Sequence, residues 1–566
     1  MRFYYLTLTL LLAFKLSAQT SDAIELSSEQ KALVQSQGAT GISSIIQESG
    51  ISFTSSRDLE DFISEVISAQ LSGSSSIDDI AKLTTETLIV VLNADISENI
   101  DSNLAIEAFT SGISKGIIIA ANDTNIDIAP AIETSSFSAI VAAVELISAR
   151  NATEIEISEA IEAASSGSTA GAIEASVETS VDAVVAVEAA AAGSAAGAIY
   201  ASSLPNKFAT SGESIINSTI AVEASSSGSA EGAVEASILR SIDVADSVEA
   251  ASSGSAAGAI EASMKIGVNT AGSVEAASSG SSQGVVESIS GNGANSRLVI
   301  VSDDFDVAEA IQAASAGSAQ GAVEASVLGN LDSTGIDVAE SVQAASAGSA
   351  VGAIEASIDV GIDAADSVEA ASSGSTQGVI ESIDGNGANS RLVIVSDDFD
   401  VAEAIQAASA GSAQGAVEAS VSTDIDVDVA VQAASAGSTV GAIEAAIDLG
   451  VDVDVAVEAA SAGSVQGAVE ASVLTDVVTD EVVDEAVEEV VDEAVEEAVE
   501  EVVDEAVEEV VEEVVEEAVE EVVDEAVEEV VDEAVEEVVD EAVDELPIID
   551  TPYDDDSSIR RVSPTE

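Results

Sequence analysis

The chain has no cysteine, no histidine and no tryptophan among its 566 residues, and aromatic residues make up only 2% of it. Without cysteine there are no disulfides, thiol nucleophiles or zinc–thiolate sites. Without histidine there is no histidine-based triad and no side chain that ordinarily titrates near neutral pH. The sequence therefore predicts a protein that is not an enzyme, with no catalytic residue and no cofactor to name.

Basic residues are also scarce. Lysine and arginine number 14 against 106 aspartates and glutamates, which gives a formal net charge of −92. Phosphate binding requires clustered lysine and arginine, so nucleic acid is excluded as the expected partner. Cations or basic surfaces are expected instead, together with self-association through the repeats described below.

The first residues have the pattern of an export signal. Arg2 precedes an apolar run over residues 3–14, and residues 16–18 end in small side chains. This arrangement predicts a signal peptide over residues 1–18. A membrane anchor needs roughly 20 apolar residues, and Lys15 interrupts the run; no later segment is expected to span a bilayer. We expect export to the extracellular space, the cell surface or the periplasm.

A repeat of mostly 26 residues occupies residues 101–475, and it is rich in alanine, serine, glycine and valine. Residues 342–357 read VQAASAGSAVGAIEAS, and residues 457–472 read VEAASAGSVQGAVEAS. Alanine and valine suit elements that approach closely, and repeats of this length stack on their neighbours. The predicted fold is all-α, an α-solenoid-like array. Residues 107–121 and 133–147 fit the frame with bulkier side chains and are predicted to be divergent or capping units.

The pattern within one unit predicts a hairpin of two short helices. Asp337, with Glu340 three residues later, is typical of a helix start. Gly348 is predicted to close that helix in the left-handed conformation. Ser349 would then cap a second helix that carries Ile354 on its apolar side. Helices of about ten residues are too short to persist alone, so the units are expected to depend on stacking.

Glycines four residues apart, such as Gly348 and Gly352, recur along the array. In a membrane this spacing favours helix dimerisation. The neighbouring Glu355 would make burial in a bilayer costly, so the pattern predicts close backbone approach between stacked helices. Two insertions contain apolar runs at residues 297–301 and 391–395, after Asn-Gly turn signals. They predict either a short strand or a loop.

The sequence thus divides into five segments: a signal peptide (1–18), an N-terminal helical region (19–100), the repeat array (101–475), an acidic tetrad repeat (476–546) and a disordered C-terminal tail (547–566). The expected function is that of a secreted structural, adhesive or surface-scaffold protein. Two alternatives remain: a calcium- or cation-binding extracellular matrix protein, and a membrane-active glycine-zipper protein.

Calcium is the one metal that the acidic residues suggest, because it binds oxygen ligands. Aspartates alternate near two unit junctions and would line one face of an extended segment. Solvated helix caps and diffuse cation condensation are the alternative explanation. The candidate ligands are Asp424, Asp426, Asp428, Asp452 and Asp454.

The acidic tetrads of residues 480–545, as in VVDEAVEE, predict a helix that depends on pH and cations. Acidic residues four apart on a helix repel one another by roughly 0.2–0.5 kcal/mol per pair. A synthetic peptide of this segment should be helical by circular dichroism in acid, in high salt or in millimolar calcium, and much less ordered at neutral pH and low salt. A spectrum that ignores both pH and calcium would contradict this prediction.

Overall fold

The array is helical wherever the structure describes it. The computed structural model describes residues 26–49, 53, 55–71, 77–93, 101–124, 126–150, 152–205, 214–290, 307–331, 337–384, 401–423, 425–449 and 453–475. Within these ranges there are 17 helices and no strand, apart from one isolated bridge between Pro205 and Ser214. The all-α, solenoid-like prediction is confirmed. The predicted signal peptide, the apolar runs at 297–301 and 391–395, and the acidic tetrads lie outside the described residues.

We number the helices in chain order. They are α1 (Ser28–Gln37), α2 (Ala39–Ser49), α3 (Ser56–Leu71), α4 (Ile77–Asn93), α5 (Ser102–Asp123), α6 (Ile128–Ser148), α7 (Glu154–Thr179), α8 (Ala183–Ser203), α9 (Ser218–Arg240), α10 (Val244–Ile266), α11 (Thr270–Ser290), α12 (Val307–Leu331), α13 (Val338–Val360), α14 (Ala364–Asp384), α15 (Val401–Thr423), α16 (Val427–Leu449) and α17 (Val453–Thr475).

The helices form two layers, one of odd-numbered and one of even-numbered helices. From α3 onward each helix packs most extensively against the second helix along the chain, and less against the next one. Consecutive helices run in opposite directions; for example, the Ser357 hydroxyl near the end of α13 donates to the Ser367 hydroxyl near the start of α14, at 2.7 Å. Helices within a layer are therefore parallel, and each layer is a stack of repeats in register.

A pair of glycines sets the contact within each layer. Helix α5 and every helix from α7 to α17 carry two glycines four residues apart, which we call the glycine pair. Each pair lies against backbone carbonyl oxygens of the helix two positions earlier. A methyl group on Gly348 would overlap the carbonyl oxygen of Glu275, and one on Gly352 that of Ser279. The prediction that the glycines allow close backbone approach is confirmed.

The predicted hairpin within each unit is wrong, because each unit is one continuous helix. Helix α13 runs from Val338 to Val360, with Gly348 and Ser349 in its interior. A glycine followed by serine is typical of a helix end and a new cap. Here the helix continues through both residues, and the glycine is required because the backbone of Glu275 leaves no room for a side chain. The predicted start at Asp337 is confirmed: its carboxylate accepts from the Ala339 backbone N–H at 3.1 Å.

Several of the helices end at a glycine outside the glycine pair or at a serine. Gly361 has a φ of +81°, and its N–H and that of Ile362 both donate to the Ser357 carbonyl, at 2.8 and 2.9 Å. This is the left-handed closure that helix ends commonly use. Ser180 and Ser241 hold the same conformation at the ends of α7 and α9, with φ of 59° and 55°. A β-branched residue and an Asp or Asn then follow at each of these junctions.

The core between the layers consists of small side chains with one branched residue toward each end of a helix. In α13 these are Val342 and Ile354, both fully buried, and alanines and serines fill the space between them. Buried serines can bond to the carbonyl of the preceding turn, as Ser346 does to Val342 at 3.0 Å. The earlier helix α3 is bulkier, with Phe62 and Ile63 buried. The divergent units predicted upstream are helices α5 and α6, which continue the same two layers.

Three helices meet the length and apolarity of a membrane span: Ser102–Asn122, Ile128–Ser148 and Ala183–Ser203. The expectation that no segment after the signal peptide has the required length was therefore too strict. In the array, 89%, 61% and 67% of their most apolar windows are buried. These three helices thus serve as ordinary members of the stack in this structure.

We predict that Gly280→Ala, in the glycine pair of α11, destabilises the protein by about 1–3 kcal/mol, the usual cost of overpacking. Its methyl group would overlap the Glu223 carbonyl oxygen. The matched control is Gly272→Ala in the same helix, where the nearest atom to the new methyl is the mobile Asn269 Nδ2 at 3.0 Å. The control should be neutral or stabilising by about 0.5–1 kcal/mol, because alanine favours helix.

Urea unfolding followed by circular dichroism measures both variants. If both substitutions raise the midpoint equally, helix propensity rather than the carbonyl contact governs the position, and the packing explanation fails.

Candidate functional site

One side of the repeat helices carries polar residues at positions spaced four apart, although alanine or valine occupies the middle positions in some of them. We call four such positions of each helix the polar stripe. The first two lie five residues and one residue before the first glycine of the pair, and the other two lie three and seven residues after that glycine. In α11 they are Glu275, Ser279, Gln283 and Glu287. A step of four residues advances only about 40° around a helix, so these side chains remain on one side. The last position is glutamate in α7 and in every helix from α9 to α17.

Parallel stacking brings the polar stripes of successive helices together. Gln343 of α13 donates from Nε2 to Gln414 Oε1 of α15 at 3.2 Å, and Gln414 Nε2 donates in turn to Glu418 Oε1 at 3.0 Å. The even layer repeats the arrangement: Gln312 donates to Gln377 at 3.0 Å, and Gln377 donates to Glu381 at 2.8 Å. The stripes therefore form hydrogen-bonded ladders along both layers.

Two basic side chains neutralise the ladder near its start. Lys115 Nζ of α5 lies 3.6 Å from Glu60 Oε1 and 3.3 Å from Glu174 Oε2. Arg240 Nη2 of α9 contacts the same Glu174 oxygen at 2.6 Å and Glu178 Oε1 at 3.1 Å. Burial raises the pKa of Glu174, but Lys115 and Arg240 outweigh it and hold that pKa below its usual value. Burial lowers the pKa of Lys115, yet the surrounding carboxylates raise it overall.

Farther along, the described helices α11 to α17 contain no lysine or arginine. Burial raises the pKa of Glu275 on α11, and the carboxylate of Glu418 on α15 raises it further. Burial and Glu355 on α13 likewise raise the pKa of Glu223 on α9, against a hydrogen bond from Ser279 that lowers it. Glutamates of other helices in the odd layer thus disfavour the ionisation of Glu275 and Glu223.

Glu231 of α9 is the most enclosed acidic side chain of the polar stripe. It is 1% exposed, and neither of its carboxylate oxygens has a hydrogen-bond partner. Burial raises its pKa well above the ordinary value, and the nearby glutamates of α5, α7, α9 and α11 raise it further. The neighbours responsible are Glu162, Glu235, Glu107 and Glu287. The site therefore favours a neutral carboxyl at this position.

Those predicted calcium ligands that the structure describes lie at helix starts. Asp426 caps α16, since its Oδ1 accepts from the Asp428 backbone N–H at 3.2 Å, and Asp428 lies in the first turn. Asp454 lies in the first turn of α17, while Asp424 and Asp452 fall outside the described residues. Across the described ranges, no three carboxylates are grouped so that they would hold a metal ion. The alternation of Asp426 and Asp428 thus reflects helix capping and not an extended face.

Sequence reasoning missed Glu231 and the basic pair Lys115 and Arg240. A signal for Glu231 was present: when the repeats are aligned on their glycine pairs, α11, α12, α14, α15 and α17 have glutamine at this position. To predict the ladder, one must know which residues of neighbouring helices lie side by side, and the repeat spacing alone does not specify this.

Comparison with known proteins adds no assignment to these residues. No family model matches the chain, and no curated protein shows significant similarity to it. The functional interpretation of the polar stripe therefore rests on the contacts described above.

We predict that Glu231→Gln stabilises the array at neutral pH by about 1–3 kcal/mol, the usual cost of an unsatisfied buried polar group. The amide would donate to Glu235 as Gln283 donates to Glu287 at 3.0 Å. Because folding raises the pKa of Glu231, the folded state binds the carboxyl proton more tightly than the unfolded chain does. The stabilisation that comes from this protonated carboxyl is present below the ordinary pKa of 4.5 and is lost as the pH rises above it.

The gain from Glu231→Gln should accordingly shrink as the pH is lowered toward 4.5, which urea unfolding at several pH values measures. The control is Glu458→Gln, an exposed member of the stripe in α17, expected to change stability by less than about 0.5 kcal/mol. A pH-independent gain would show that the charge of Glu231 is not the cause.

Proposed function

We propose that this chain is an exported structural protein whose helical array presents an acidic, hydrogen-bonding surface to basic partners. One observation carries the proposal: the polar stripe recurs at the same position in successive parallel helices, and helices α11 to α17 contain no lysine or arginine. The leader at residues 1–18 supports export. The proposal assigns no catalytic reaction, because it depends on a repeated surface and not on a unique group of residues.

The stacking gives this surface a regular spacing. Neighbouring helices of a layer usually lie about 8–10 Å apart, and glycine pairs favour the short end of that range. Weak attractions that recur at a fixed spacing add up when a partner engages several of them at once. A surface of this kind suits adhesion or scaffolding on a basic polymer or mineral, because attraction between opposite charges is long-ranged and falls with salt.

A second candidate function, a cation-responsive matrix protein, is favoured by the glutamates that act on one another between helices. Burial raises the pKa of Glu275 and of Glu223, and the carboxylates of Glu418 and Glu355 on other helices of the layer raise them further. Cations in solution would relieve that repulsion and stabilise the stack, and calcium prefers such oxygen ligands. The two candidate functions differ in their dependence on ions. Calcium would stabilise the stack of a cation-responsive matrix protein, whereas any salt would weaken the binding of a scaffold to its basic partner.

We predict that the full chain binds an amine-coated surface in preference to a carboxylate-coated one, and that the binding falls as sodium chloride is raised. Neutralising the stripe with Glu287→Gln, Glu355→Gln and Glu418→Gln together should weaken binding at least about threefold. The matched control carries the same loss of charge outside the stripe: Glu309→Gln, Glu340→Gln and Glu403→Gln, in the first turns of α12, α13 and α15.

A quartz microbalance gives the affinities. Equal weakening by both triple variants would assign the attraction to overall net charge and contradict a role for the stripe. Stoichiometric calcium uptake in calorimetry, with a rise in melting temperature, would favour the cation-responsive matrix over the scaffold.

A further inference from the structure

The even layer contains a cleft of about 290 Å³ that crosses helices α6, α8 and α10. Two aromatic rings, Phe137 and Tyr200, line it together with Glu133, Glu188, Glu261 and Lys265. We call it the aromatic cleft. Its volume is close to the lower end of the range for small-molecule sites, about 300–1,000 Å³.

The cleft exists because the polar stripe changes here. Tyr200 occupies the position, seven residues after the first glycine, that is glutamate in α7 and in α9 to α17. Phe137 occupies a position that is serine or alanine in the helices that follow. Ala196 and Ala257 stand where several later helices have glutamine, so the space that a long side chain would fill stays open. The repeat is thus altered at neighbouring positions of three helices, all of which face one cavity.

The two rings contact each other in the lining of the cleft. Their centroids are 5.4 Å apart and their planes are inclined at 47°. Tyr200 remains 41% exposed although it contacts Phe137. The face of an aromatic ring carries negative potential and attracts organic cations.

The charged residues of the cleft select the same kind of ligand. Three glutamates line it against one lysine, and Glu188 is only 4% exposed. Lys265 pairs with Glu261 at 3.2 Å, but its side chain is 73% exposed, so its ammonium group lies at the rim. An anion would meet like charge here. A hydrated inorganic ion would gain little from the apolar walls, whereas a cation with apolar substituents uses both the rings and the carboxylates.

We propose that the aromatic cleft binds a small organic ammonium ion of the quaternary alkylammonium class. Its charged nitrogen lies against the rings of Phe137 and Tyr200, with Glu188 supplying the buried opposite charge. Its methyl groups contact the apolar wall formed by Ala196 and Ile266. The site lies where the polar stripe is interrupted, and it uses the two rings and Glu188 rather than the hydrogen bonds of the ladder, so it does not depend on the proposed function.

Calorimetry on the full chain with choline tests the proposal, with the neutral isostere 3,3-dimethylbutan-1-ol as the matched ligand at constant ionic strength. One saturable choline site per chain is expected, with no comparable binding of the alcohol. Tyr200→Leu keeps the apolar bulk but removes the ring and should weaken choline at least about fivefold. Glu188→Gln should also weaken it, while Tyr200→Phe should retain the affinity.

The tyrosine content supplies a second readout. The chain has no tryptophan and four tyrosines, and only Tyr200 and Tyr553 lie after residue 18. In a Tyr553→Phe chain that starts at residue 19, choline should change the fluorescence of Tyr200 over the same concentration range. Three results would each overturn the proposal. They are equal binding of choline and its isostere, no saturable binding of choline, and an unchanged affinity for choline in a Tyr200→Leu variant that keeps the native helix content.

Discussion

The whole array depends on one contact, the packing of a glycine pair against the backbone carbonyls of the second helix before it. The contact recurs in α5 and in every helix from α7 to α17, and it leaves no space for a methyl group. At this separation, glycine Cα–H groups can also make weak hydrogen bonds to the carbonyl oxygens, a recurring feature of close helix pairs. The chain's composition follows from it: helices this close can bury alanine, serine and valine, but few aromatic side chains.

Much of this fold could be predicted from the sequence. The period was visible from the recurrence of the repeat, and the start at Asp337, the apolar side with Ile354 and the packing role of the glycines were visible within one unit. The break at Gly348 was predicted wrongly because a glycine before serine has the same local signature whether a helix ends there or a neighbouring backbone crosses it. Gly361 and Gly348 differ in their tertiary neighbours: Gly361 has open space around it and a left-handed φ, whereas Gly348 meets Glu275.

The candidate sites were less predictable, because they depend on register between helices 50 or more residues apart. The contact between Gln343 and Gln414 joins residues 71 positions apart. The cluster around Glu231 joins helices that are not consecutive in the chain. Departures from the repeat, such as Tyr200 in place of glutamate, are visible in an alignment of the units. What such a departure creates, a cleft shared by three helices, depends on which units are stacked together.

Parallel stacking in register also explains where the charges lie. When identical units stack with one orientation, each side chain faces copies of itself, so a glutamate in the repeat faces glutamates. The chain relieves this repulsion in two ways. Near the start of the array, Lys115 and Arg240 pair with the carboxylates of α3 and α7. From α12 onward, amides such as Gln343 and Gln406 replace several glutamates and donate to neighbours in the ladder. Glu231 lies between these two regions and lacks a partner of either kind within hydrogen-bond distance, so the repulsion is concentrated at its carboxyl group.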